Sequence, residues 1–477
     1  MLIRLPVAVA AVFMALNAPS IFADNLNATL EQQSDVAVTI YNADLALVKD
    51  QRTLTLPKGE HSIAFMGVSG KIRPETALLR NTQDHAGISI IEQNFDFDLL
   101  TPQSLLEKSL GKTIQIVRTN PATGQETTRS AKVLSTVGGL VVEINGQVET
   151  NPEGRFIFSE LPPSLRAQPT LTTQVDNKLG GNNRYELSYL TGGLSWSADY
   201  VAELTGDNRL DLASWVTLSN YSDTEYKNAN VQLVAGEINQ VSSQPRAERF
   251  LAKEMDATVQ RAAPLVEDFS EYKLYTLPQK TSLANNQTKQ VALFNASSVA
   301  TNQTLEFSDN RINRYSVENN TKEKLNPTLK LNLTNDKKSN LGMALPKGIV
   351  RVYQRDSQGN AQFVGEDSID HTAENESIAL TLGKSFDVSA VRERTYFKIL
   401  NKDNANYKYE VGYRVIFKNA KKTPVKVIYR ENFDSEWTIL ASTLKSQKKS
   451  ATENEWEVTV PAKSDIVLDF SVEVKTY

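Results

Sequence analysis

The chain has 477 residues, 40% of them hydrophobic and 23% charged, which fits about three globular domains. Its 52 basic and 56 acidic residues give a net charge of −4, so there is no basic field for nucleic acid. Cysteine is absent, which excludes disulfides, thiolate metal sites and cysteine nucleophiles; the three histidines, His61, His85 and His371, are too scattered to form a zinc motif.

Residues 1–23 carry Arg4, the apolar run LPVAVAAVFMAL and then Asn17, Pro19 and Ser20, the order of a secretory signal peptide cleaved after Ala23. No other stretch is long and apolar enough to predict a transmembrane segment. The expected address is the periplasm or the extracellular space.

Strand patterning begins at Val36 and runs through IYNADLALVKDQ and RTLTLPKGEHSIAF, where Pro57-Lys58-Gly59 marks a turn. Thr101-Pro102 predicts a capped helix with Leu105, Leu106 and Leu110 on its apolar face and Gly111 as its stop. Four short strands follow, with a hairpin at Asn145-Gly146, and predict an SH3-like small barrel over residues 88–165. RYELSYLTGGLSWSADYVAEL, LDLASWVTLSN and NANVQLVAGEI then resume alternation. They are expected to pair with the early strands, giving one discontinuous β-sandwich of residues 36–87 plus 166–240. Residues 241–271 read as a charged, proline-bounded linker. Residues 272–477 alternate densely and predict a C-terminal immunoglobulin-like sandwich, its last strand ending at Tyr477. The fold class expected is therefore all-β and multidomain.

A search for chemistry leaves little. Leu110-Gly111-Lys112-Thr113 and Leu382-Gly383-Lys384-Ser385 imitate the tail of a phosphate-binding loop, but Leu106 and Ile378 stand where glycine is required. Ser195 lies in a strand with no histidine near it to activate it. Asp96 and Asp98 alternate with Phe95 and Phe97, a packing pattern rather than a carboxylate dyad. Glu366, Asp367, Asp370, His371, Glu374 and Glu376 crowd one connection, where a solvated loop competes with a calcium site or a catalytic pair. Trp196, Trp215, Trp437 and Trp456 sit in strand patterns and are expected in cores, although aromatics also line carbohydrate and peptide sites. The pairs Lys421-Lys422 and Lys448-Lys449 read as solvated edge charges, and the sequons at Asn220 and Asn332 carry no weight.

The phrases YLTGGLSWSADYVAEL, WVTLSNYSDTEYKNANVQLVAGEI, LPKGIVRVYQRDSQGNAQFVGEDSIDHT and GKSFDV resemble the bacterial domain of unknown function 4139 family, that of the mucoidy-inhibitor-like proteins. The likeness spans residues 184–477, and VAVTIYNADLALVKD is similar to the amino-terminal strands of those proteins. It implies an exported β-rich architecture, and no catalytic residues come with it. The expected function is that of a non-catalytic binding or scaffolding module of the cell envelope, docking an envelope protein or polymer at exposed edge strands. The alternatives are a carboxylate-dependent hydrolase of envelope polymer and a calcium-dependent adhesion module. No catalytic, metal or cofactor residue is assigned.

Overall fold

Alternation of apolar and polar residues at period two governs almost every segment, and the chain folds accordingly. The computed structural model describes residues 25–476 except 43, 97–98, 163–164, 207, 237, 240–264, 312–321 and 404–405. The expected signal peptide and most of the expected linker lie outside the described residues. The protein is all-β: strands make up 67% in several sheets, and no barrel closes among the described residues. Two units divide the chain: residues 1–37, 47–192 and 222–224 form one, and residues 38–46, 193–221 and 225–477 form the other.

In the first unit the strand Thr170–Asn177 is antiparallel to both Gly59–Met66 and Ile88–Asp96, and Asn25–Ala28 runs parallel to Gly59–Met66. Ile88–Asp96, expected in the small barrel, is thus claimed by this sheet, because the returning strand offers it a full ladder of partners. A five-stranded antiparallel sheet occupies residues 113–157. Its third and fourth strands turn through Asn145 at φ 51° and Gly146 at φ 78°, the left-handed pair that a two-residue hairpin demands. Arg155–Ile157 returns beside the first strand, Thr113–Thr119, while Gln147–Thr150 stays at the opposite end, so the small barrel is left open. Ile114, Ile116, Ala131, Val133, Val142 and Ile144 fill its core, with Leu106 of the helix Pro102–Lys108 packed on them. The helix is capped as its sequence suggests, Thr101 Oγ1 accepting from Ser104 N at 3.0 Å. Leu110, expected on the apolar face, lies beyond the helix end and is exposed.

In the second unit Leu194–Gly206 and Arg209–Asn220 form a hairpin. The expected pairing with the early strands does not occur for these two. Arg209–Asn220 lies against Gln287–Arg311, and Leu194–Gly206 runs parallel to Gly348–Arg355. Gly348 explains the second contact, since a Cβ there would stand 2.2 Å from the carbonyl oxygen of Ala198. The pairing does occur for Gly181–Thr191, which lies between Leu45–Leu56 and Leu78–Asn81, and for Tyr226–Ala235, which lies beside Gln33–Tyr41 with Thr39 Oγ1 donating to Gln232 Oε1 at 3.3 Å. The linker also ends sooner than expected: Leu265–Phe269 is a strand paired with Tyr272–Thr276.

Gln287–Arg311 is a single 25-residue strand. Its first half pairs with Arg209–Asn220, and its second with Thr328–Thr334 and, in parallel, Val425–Asn432. That second half belongs to a two-sheet sandwich. The facing sheet is Glu323–Leu325, Val388–Asp403, Asn406–Asn419, Ser464–Thr476 and Glu436–Ser442 in spatial order. The last long strand, expected to close the sandwich, is an interior member of it. Phe307, Phe417, Tyr429, Trp456 and Phe470 form its aromatic centre, with ring centroids 4.7 to 5.8 Å apart along the chain of contacts.

Candidate functional site

The hairpin Leu194–Gly206 and Arg209–Asn220 buries one phase of each strand: Trp196, Ala198, Tyr200 and Ala202 on the first, Leu210, Leu212, Val216 and Leu218 on the second. The opposite phase faces solvent. In register it sets Ile349, Asp199 and Trp215 side by side in one row across three strands, and Glu366, Arg351 and Val201 in the next. Trp215 is 39% exposed, Ile349 40% and Val201 37%, so three apolar side chains stand open on one sheet face. A third row holds Tyr353 and Phe363, their rings edge to face at 5.6 Å, beside Glu203.

Between these apolar groups runs a polar network. Arg351 reaches Asp199 through Nη1 at 3.0 Å and Glu366 through Nε at 3.3 Å. Thr217 donates to the other Asp199 oxygen at 2.8 Å, and Gln290 Nε2 donates to Thr217 at 3.2 Å. Arg355 pairs with Glu203. The hydrogen bond to Asp199 raises Arg351 above the ordinary arginine range and keeps it cationic. The charges on this face compensate one another locally. The face therefore presents aromatic and aliphatic surface divided by pre-oriented hydrogen-bonding groups.

The acidic run of residues 366–376 does not converge. Glu366 belongs to the network above. Asp367 accepts from Ser368 N at 2.8 Å and from Thr381 N at 2.7 Å, tying its strand to the next. Asp370 lies 3.7 Å from the Lys347 ammonium, whose own backbone N–H donates to His371 Nδ1 at 3.1 Å. Glu374 faces Lys337 at 3.7 Å, and Glu376 accepts from Ala373 N at 3.0 Å. Among the described residues no three acidic or histidine side chains gather as a metal site would require.

The remaining candidates are dispersed. Lys112 pairs with Glu160 at 2.7 Å, and Gly111 follows a helix instead of preceding one, the reverse of a phosphate loop. Gly383 and Lys384 end a strand, and Ser385 N donates to Pro327 O at 2.9 Å. Ser195 sits opposite Ser219 in the hairpin register. Asp96 lies at the end of a strand; Phe97 and Asp98 fall outside the described residues. His61 approaches the Lys58 carbonyl at 3.3 Å, and His85 opens a short 3-10 turn. A wide cleft of about 780 Å³ opens on the small five-stranded sheet, but it is charged and self-satisfied. Arg118 pairs there with Glu149 and donates to Glu153 O at 3.1 Å, while Arg155 meets Glu126 at 3.4 Å. No helix among the described residues is long and apolar enough to cross a membrane.

Three tryptophans are core residues, as expected. Trp196 donates to Val234 O at 3.3 Å, Trp437 stacks on Phe433 at 4.4 Å, and Trp456 donates to Ser442 Oγ at 3.0 Å. Trp215 corrects the expectation. The signal was present in the parity of the strand: Trp215 shares its phase with Asp211, Ala213, Thr217 and Ser219, whereas Leu210, Leu212, Val216 and Leu218 hold the other. An indole on the polar phase of an alternating strand belongs to the surface.

No protein-family model and no curated protein matches this chain. Its functional reading therefore rests on its own residues.

Proposed function

We propose that this chain is an exported protein of the cell envelope that binds its partner without transforming it, and that it does so through the open sheet face around Trp215. The observation that carries the reading is the row Ile349, Asp199, Trp215, whose two apolar side chains are about two-fifths exposed on strands that bury their opposite phase. Exposed aromatic side chains on a rigid sheet bring large contact area at little cost in side-chain ordering, which favours recognition. Residues 1–23 support export, and the resemblance of residues 184–477 to the domain of unknown function 4139 family supports an envelope setting. The carboxylates of residues 366–376 point to separate partners, and among the described residues no three acidic or histidine side chains gather where a calcium module would need them. These observations favour docking on a sheet face, where side chains do the recognising, over docking at an edge strand.

Co-sedimentation of the purified protein with isolated cell envelopes tests this. The wild type is expected in the pellet, and Trp215→Ala and Ile349→Ser in the supernatant, each still folded as judged by its circular dichroism and cooperative melting, with some loss of melting temperature because both side chains are only about two-fifths exposed. Equal sedimentation of all three proteins would remove the face from the reading.

A further inference from the structure

We infer that the ligand of this face is an N-acetylated glycan strand of the kind that runs through peptidoglycan; the inference rests on the proposed binding role of the same face. The argument starts from what the face lacks. Its backbone groups are spent on neighbouring strands, so an added peptide strand has no ladder to join. A protein partner would need an apolar, charge-poor centre. Here the centre is the Asp199–Arg351–Glu366 network, with Trp215, Val201 and Ile349 around it.

A polyanion is disfavoured for the same reason. Asp199, Glu203 and Glu366 outnumber Arg351 and Arg355, and both arginines are already paired. What suits the face is an uncharged chain with alternating apolar and hydroxyl-rich surface. The indole of Trp215 accepts the C–H face of a pyranose ring. Val201 and Ile349 lie one row and one strand apart and can take acetamido methyl groups. Asp199 and Glu366 are held in place by Arg351 and can accept from ring hydroxyls, and the exposed amide of Gln290 extends the polar row. Successive contacts are spaced by the strand separation of about 4.8 Å, so a linear polymer crossing the strands meets Ile349, Asp199 and Trp215 in turn.

The test uses the full chain with two probes, purified peptidoglycan sacculi and chitotetraose. The other three tryptophans are buried, so iodide quenching of the intrinsic fluorescence reports chiefly on Trp215. Co-sedimentation with sacculi is expected, together with protection of Trp215 from iodide by the tetrasaccharide. Binding should weaken about tenfold in Trp215→Ala, and by a similar factor in Ile349→Ser, at a temperature where both variants are fully folded by circular dichroism. Sedimentation with whole envelopes through this face, but not with sacculi, would overturn the glycan while leaving the binding role in place. Failure to sediment with either would overturn both. Sacculus binding undiminished in both variants would overturn the assignment of the face.

Discussion

Arg52 stands on the inward phase of its strand with Val48, Leu54 and Leu56, and is completely buried. Its guanidinium reaches Asp50 Oδ2 through Nε at 3.1 Å and Nη2 at 2.6 Å, donates to the Ala28 carbonyl and lies 5.5 Å from the Phe65 ring centre. Gln33 satisfies the other Asp50 oxygen at 2.9 Å. A buried pair of this kind is costly to break, because the partner left behind remains charged and dry. Arg52→Met should therefore lose about 3–5 kcal/mol in urea unfolding. The second sandwich encloses a related group. Glu431 accepts from the Arg392 guanidinium and, at 2.7 Å, from the Tyr429 hydroxyl, and Arg392 lies 4.0 Å from the Tyr413 ring centre. Burial pushes the Glu431 carboxyl above its ordinary 4.5, with Arg392 and Tyr429 pulling only partly the other way. The folded chain then holds a proton that the unfolded chain has released. Stability is expected to fall as pH rises from about 4.5 through the raised value and to level off above it. In Glu431→Gln this fall should be absent, which urea titrations across the acid-to-neutral range can check; a variant that tracks the wild type at every pH would refute the assignment.

Among the elements, the contact of Leu194–Gly206 with Gly348–Arg355 depends on one missing side chain. Gly348→Val would force its Cβ into the Ala198 carbonyl and should cost about 1–3 kcal/mol, measurable as a lower denaturation midpoint. Thr101→Ala, which removes a helix cap already exposed to water, should cost about 1 kcal/mol or less. Elements of this local kind were legible in the sequence. The Thr101-Pro102 cap, the Asn145-Gly146 hairpin and the long alternating runs each follow from the chemistry of a few adjacent residues. Pairing was less legible, because period two tells which face a strand buries and not which strand lies beside it. Nothing in LDLASWVTLSN names Gln287–Arg311 as its neighbour, and the close approach at Gly348 becomes meaningful only once Ala198 is placed against it. The candidate face was half legible: the parity of Trp215 carried the signal that the core expectation overlooked, but the meeting of Asp199 with Arg351 and Glu366 requires a strand near residue 200 to lie beside a hairpin about 150 residues further on. The buried Asp50 and Arg52 were hidden for the opposite reason, since charges at i and i+2 read as a solvated phase.

At the scale of the whole molecule, one element runs through the middle of the ten-stranded sheet of the second unit. Gln287–Arg311 gives its first half to the sheet that carries Trp215 and its second half to the sandwich built on Phe307 and Trp456. Amides of Leu305 and Glu306 should accordingly be among the slowest to exchange with deuterium, since each lies between Thr328–Thr334 on one side and Val425–Asn432 on the other. A protein held in the envelope by a polymer would also carry load. Tension along this strand, about 80 Å of extended chain, would be resisted by rows of inter-strand hydrogen bonds strained together in shear, not opened one by one as a zipper. If the proposed binding holds, these 25 residues would serve as a tension-bearing cable between the surface that grips and the sandwich built on Phe307 and Trp456.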